Sequence, residues 1–221
     1  MHIASGFLSP PVWGTMAAVS GAALAGSAIA TTRQLGDRKV PLMGVMGAFV
    51  FAAQMVNFPI LAGTSGHLGG GFLLGILLGP SLGIIVITSV LVVQALVFQD
   101  GGVEALGANI FVMGVVPSLL GGAVRSLWRR PGWIAYAATF AGGAVAVLAG
   151  ATLVVLFLAW SGSLPAKVHL VEALGVMDSI HLFIGLVEGA VTVAVVRFVV
   201  GARREAVFET ELAAPAGEVP A

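Results

Sequence analysis

The sequence opens on a methionine followed directly by a histidine, and that pair has a chemistry of its own. A free amine at Met1, the amide nitrogen of His2 and the His2 imidazole can all reach one metal ion. Amine and amide nitrogen close a five-membered chelate ring; amide nitrogen and imidazole Nδ1 close a six-membered one. The fused rings hold three nitrogens nearly coplanar once the amide has given up its proton. Ions that favour tetragonal nitrogen ligation, Ni²⁺ or Cu²⁺, drive that ionisation, and Co²⁺ does so less readily. One in-plane position stays open, and His67, in the glycine-rich stretch "GTSGHLGGG", could supply the fourth nitrogen. Position 2 must be His and the amine must be free. Methionine aminopeptidases remove Met1 only before small residues, so His2 is expected to preserve it. No charged leader or hydrophobic run precedes Ser9-Pro10-Pro11, so Met1 is the expected mature start. The plainer alternative is that His2 is an ordinary interfacial residue.

These residues need elements to position them, and composition says which kind. Of 221 residues, 58% are hydrophobic and 9% charged, and the mean hydropathy is +1.06. A soluble domain carries about 25% charged residues, so most of this surface must face something other than water. Zero net charge gives no electrostatic case for nucleic acid. The absence of cysteine removes disulfides, iron–sulfur clusters and thiolate metal sites. Helical spans of about 20 apolar residues are expected at Val12–Thr31, Pro41–Phe58, Leu68–Leu78, Leu82–Phe98, Ala105–Leu127, Trp133–Trp160 and Ser179–Val200. The expectation is an all-α integral membrane protein of seven spans. Residues 1–204 form the transmembrane domain, and 205–221 a cytoplasmic, disordered tail.

Arg33, Arg38 and Lys39 follow the first span, Arg125, Arg129 and Arg130 the fifth, and Arg197, Arg203 and Arg204 the seventh. Alternate crossings put all of these on one side, leaving Lys167 opposite, so the N-terminus is expected outside and the C-terminus in the cytoplasm. His2, His67, His169 and His181 then all fall at the outer level.

Three stretches, "MHIASGFLSPPVW", "NFPILAGTSGHLGGGFLLGILLGP" and "QALVFQDGGVEALGANIFVMGVV", together resemble the substrate-binding S component of energy-coupling-factor nickel and cobalt importers, the NikM/CbiM type. The motifs run from Met1 to about Val124. The resemblance implies a core of six spans plus an additional N-terminal helix. It implies Ni²⁺ or Co²⁺, as transported substrate, bound by the Met1 amine, the His2 amide nitrogen and imidazole, and the His67 imidazole. It also implies partners: a transmembrane coupling subunit, two ATPase subunits and, in some systems, a small accessory membrane subunit. The chain has no GxxxxGK[ST] phosphate loop, so it is not expected to be an enzyme. Cobalt-type relatives often carry His where this chain has Asp100, and Ser-Ser-His-Pro where it reads Ser65-Gly66-His67-Leu68. Both departures lean towards nickel.

Around the three proposed ligands, Ser65 and Asn109 are candidates to fix an imidazole tautomer, with Asn57, Thr64 and Gln94 as weaker ones. Most such residues merely satisfy backbone groups. Asp178, His181 and Glu188 fall on roughly one helical face. They are candidates for a metal relay; alternatively, Glu188 is simply hydrogen-bonded to a neighbouring helix. A row of small residues, Ala18, Ala22, Gly26 and Ala30, serves either packing within the subunit or docking of the coupling subunit. Two other function classes compete. A stand-alone metal–proton antiporter would work through Glu188 and the outer carboxylates. An intramembrane metalloprotease is disfavoured by the lack of HExxH.

Overall fold

The structure is a computed structural model that describes residues 1–32, 39–59 and 64–212. Among these residues it is a helical bundle. The helices are α1 Pro10–Thr31, α2 Lys39–Gln54, α3 Gly71–Leu78, α4 Pro80–Phe98, α5 Leu106–Arg129, α6 Trp133–Trp160 and α7 Leu170–Leu212. Five of them, α1, α4, α5, α6 and α7, are long and apolar enough to cross a membrane. Side chains such as Ile29, Phe183 and Phe198 point outward from them, as lipid-facing residues do.

Several expected boundaries shift. The third apolar stretch was expected from Leu68, but helix begins only at Gly71, and α3 has 8 residues. At 1.5 Å per residue that is about 12 Å, well short of a bilayer core. All of α3 is buried, so it is the centre of the bundle. It passes so close to α5 that a Cβ on Gly75 would meet Ser118 O at 2.3 Å and one on Gly121 would meet Phe72 O at 2.2 Å. Glycine at both crossings is what lets the backbones touch. Helix α2 ends at Gln54, not at Phe58 as expected; Phe58–Pro59 is instead an extended strand. Helix α7 extends far past the expected Ser179–Val200 at both ends. The tail expected to be disordered from residue 205 is helical as far as Leu212, after a break in helical geometry at Arg203. Buried Val207 and Phe208 explain this: the Arg125 guanidinium donates to Val207 O and lies 4.9 Å from the Phe208 ring. Residues 213–221, Arg33 and Arg38 lie outside the described residues.

Two of the helices carry irregular turns. Helix α4 finishes in a π turn, Gln94–Phe98, and α5 contains another, Phe111–Val115. Pro117 follows the second and has no N–H for the carbonyl four residues back, which loosens the helix there. Such turns recur beside functional sites. The expected aromatic belt holds in part: Trp13, Trp133 and Trp160 are exposed, whereas Trp128 is buried and donates to Thr139 Oγ1 at 2.8 Å. The small row on α1 is exposed, and among the described residues no atom lies within 4 Å of a Cβ built on Gly26. It is therefore not a packing face among the described residues.

Candidate metal site

Residues 1–9 do not trail from the bundle; they run into it. Ile3 forms a β-bridge with Thr64, beside the short ladder in which Phe58 pairs with Gly66 and Pro59 with Ser65. Ile3 N–H donates to Asn109 Oδ1 at 2.8 Å, and Asn109 Nδ2 donates back to Ile3 O at 3.1 Å. Gly102 N–H reaches the same carbonyl at 2.8 Å. Further out, Glu104 accepts from Gly6 N–H and Ser5 Oγ, and these donors hold its carboxyl below the usual range. The Met1 side chain is 1% exposed. It fills the space beside Gly150, where a Cβ would stand 2.9 Å from Met1 Cε and 3.1 Å from Val112 O. Gly150 is ten residues from the end of α6, so the tip of the Met1 side chain meets that helix about 15 Å along it from its end.

The chain start thereby meets His67. The Met1 amine lies 2.5 Å from His67 Nε2, and both are buried. His67 Nδ1 donates to Leu68 O at 2.7 Å, which fixes the tautomer and leaves Nε2 with a bare lone pair. The His2 ring lies against that of His67, with centroids 4.6 Å apart. His2 Nδ1 is 3.3 Å from Asp100 Oδ1, and Asn57 Nδ2 holds the other Asp100 oxygen at 2.9 Å. Gln94 also faces His2.

Burial dominates the protonation chemistry. It pushes the Met1 amine down from 8.0 to about 4, against the opposing pull of Asp100 and Glu188. It pushes His2 down to about 3, helped by the nearby amine. His67 is likewise held well below 6.5, by burial first and then by the amine, His2 and His181. Asp100 is raised by burial, while the amine and Asn57 act in the opposite sense. The amine and imidazoles are thus neutral at pH 7, the state in which nitrogen ligates. Nitrogens about 2.0 Å from an ion and at right angles stand roughly 2.8 Å apart, so the amine and His67 Nε2 are spaced as adjacent ligands. Among the described residues no three His, Asp or Glu side chains converge as a conventional metal site. The convergence seen here needs main-chain nitrogen.

Of the other candidates, Asn109 joins the site by holding Ile3 rather than an imidazole. Thr64 is the bridge partner of Ile3. Asn57 acts through Asp100. Ser65 lies in the ladder, and its buried Oγ has no partner among the described residues. Gln94 Nε2 donates to Gln54 Oε1 at 3.0 Å. Gln54 was missed from the sequence, although a carboxamide in an otherwise apolar span is a signal in itself. His181 is not at the end of a span as expected. It lies 11 residues into α7, fully buried, with Nδ1 2.8 Å from Met177 O and Nε2 without a partner among the described residues. Asp178 accepts from Thr152 Oγ1, and exposed His169 takes no part.

The chain is similar to known proteins over nearly its whole length. The family model described as "Cobalt uptake substrate-specific transmembrane region", CbiM, matches residues 2–206. A putative metal transport protein of Haloquadratum walsbyi is 41% identical over 209 residues, covering 94% of each chain. A putative fused nickel transport protein, NikMN, of Archaeoglobus fulgidus is 37% identical over 94% of this chain and 68% of its own. The cobalt transport protein CbiM of Acetohalobium arabaticum is 31% identical over 88% of this chain and 80% of its own. Among solved structures, one titled as a transition metal transporter superposes with a TM-score of 0.82 at 31% identity, covering 98% of this chain and 100% of that one.

Proposed function

The chain belongs to the CbiM family of cobalt-uptake substrate-specific transmembrane proteins, and we propose that it is the substrate-capturing S component of an energy-coupling-factor importer for Ni²⁺ or Co²⁺. The observation that carries this is the Met1 amine buried against His67 Nε2 at 2.5 Å, with the His2 ring beside it. The ion takes the amine, the His2 amide nitrogen, His2 Nδ1 and His67 Nε2 as an in-plane shell. Met1 must then be the first residue of the mature chain, with its amine unmodified. Closing the six-membered ring turns His2 Nδ1 from Asp100 towards the ion. A divalent ion with one ionised amide carries a net single positive charge, which the Asp100 carboxylate beside His2 offsets. Selectivity follows from shape: Mg²⁺ and Ca²⁺ prefer oxygen shells, and Zn²⁺ prefers a tetrahedron.

Seven membrane-embedded helices, five of them long enough to cross, with the site end outside the plasma membrane and the basic end in the cytoplasm, complete the proposal. Its support is that Arg125 meets Ile76 O, Leu77 O and Val207 O at the end of the bundle opposite the site. The exposed small row on α1 is the face offered to a coupling subunit, which with two ATPases supplies the energy. The test is metal titration of purified protein followed by ligand-field absorption. Wild type develops the band of a four-nitrogen nickel complex at one ion per chain, and His67→Ala does not. A His67→Ala variant with the wild-type band would remove the site.

A further inference from the structure

We propose that Glu188 of α7 is a positioning residue for the metal site, gripping the Gly69 and Gly70 amides just beyond His67 and so fixing where its imidazole stands. Glu188 Oε2 accepts from Gly69 N–H at 2.5 Å, and Oε1 accepts from Gly70 N–H at 2.9 Å. The carboxylate is 3% exposed, so it has exchanged water for these two amides. A carboxylate inside a membrane protein is costly unless so partnered, and hydrogen bonds to a charged acceptor are roughly twice as strong as neutral ones. The same segment is held on its other edge. Gln54 Nε2 donates to Gly69 O at 2.6 Å, and Gln94, beside His2, donates to Gln54. Gly70 has φ +77, where a side chain would both strain the backbone and strike Val50.

Only Leu68 separates His67 from the first gripped amide, so a displacement of the clamp moves the imidazole. Ligand constellations tolerate about 0.5 Å of such movement. With both oxygens committed to amides, Glu188 acts through the loop and does not touch the ion. Helix α7, the loop, α2 and α4 are thereby tied into one frame around the Met1–His67 contact.

The clamp rests on the four-nitrogen proposal, and the experiment separates the two. Nickel affinity and ligand-field absorption are measured for wild type, Glu188→Gln, Glu188→Asp and a form with two residues added ahead of Met1. Glu188→Gln keeps the size but sets an NH₂ group against Gly69 N–H. Glu188→Asp keeps the charge but is one methylene short of the loop. Both are expected to lose about 10–100-fold in nickel affinity, as when outer partners of metal ligands are removed. Both should shift the absorption to longer wavelength while helix content is kept. Wild-type affinity and band in Glu188→Gln would overturn the clamp, as would loss in Glu188→Gln with full retention in Glu188→Asp, which would point to charge alone. If the extended form binds like wild type, the four-nitrogen site fails and the clamp fails with it. If the extension abolishes binding while Glu188→Gln is indifferent, only the clamp fails. Should neither variant fold, the wild-type protein labelled with ¹⁵N-glycine still decides. Amide protons of Gly69 and Gly70 displaced downfield of the other glycines support the clamp; ordinary shifts overturn it.

Discussion

At the residue scale the chemistry is set by burial acting on nitrogen bases. The docked Met1 amine has its proton affinity lowered from 8.0 to about 4, whereas an undocked amine keeps the ordinary value. The undocked form therefore binds more protons between those values, and docking of residues 1–9 is favoured as pH rises through that window. In the proposed four-nitrogen shell, loading at neutral pH then expels one proton, from the His2 amide. Nickel affinity should fall about tenfold per pH unit lowered between pH 8 and 5, and calorimetry in two buffers should count one proton released per ion. Two protons per ion would mean an amine protonated before loading. Gly150→Val should cost about 1–3 kcal/mol of docking through overpacking against Met1, read as a loss of about 5–150-fold in nickel affinity without loss of fold. Cu²⁺ should compete with Ni²⁺ at equal or better affinity in vitro, as the divalent order requires; failure to compete would argue against four in-plane nitrogens. Met1 and His2 stand out in the sequence as a candidate chelate because the pattern is local, needing only adjacent residues. The roles of Asn109 and Asp100 were not, because they depend on distant segments meeting at Ile3 and His2.

At the scale of elements, hydropathy located the long helices but misjudged their ends. It measures apolar length, not helical geometry. Helix α2 ends at Gln54, whose side chain donates to Gly69 O, and the chain continues into the Phe58–Pro59 strand. Leu68 to Gly70 read as apolar but belong to the loop that carries His67, since the Gly69 and Gly70 amides bond Glu188 and not a helix. The polar end of α7 reads as solvated tail, yet Val207 and Phe208 pack against Arg125. Arg125 joins α3, α5 and α7 through the carbonyls of Ile76, Leu77 and Val207. Replacing it with Met leaves buried carbonyls unpaired, at about 1–3 kcal/mol. Thermal unfolding of Arg125→Met should shift down by several degrees while nickel affinity, set at the other end of the bundle, stays within twofold. A large loss of affinity with no loss of stability would contradict this division of labour.

For the whole molecule, the site end carries Asp100 and Glu104, and the opposite end carries Arg125, Arg203 and Arg204. Because the sequence has no cysteine, single substitutions report sidedness cleanly. Lys167→Cys should react with an impermeant reagent added outside intact cells, and Arg130→Cys only after the membrane is opened; the reverse pattern would invert the orientation. Family membership and helical class were readable from motifs and composition. The depth of the site was not, because nothing in a linear sequence says that a chain start descends between helices to reach Gly150. The claim on which the account turns is that the first two residues are themselves ligands. The direct measurement is nickel titration of protein carrying two additional residues ahead of Met1, beside the unextended chain under the same conditions. Loss of at least about 100-fold in affinity, beyond the 10–100-fold of outer-partner changes, with helix content and membrane insertion unchanged, is the predicted result; unchanged affinity in the extended protein would contradict it.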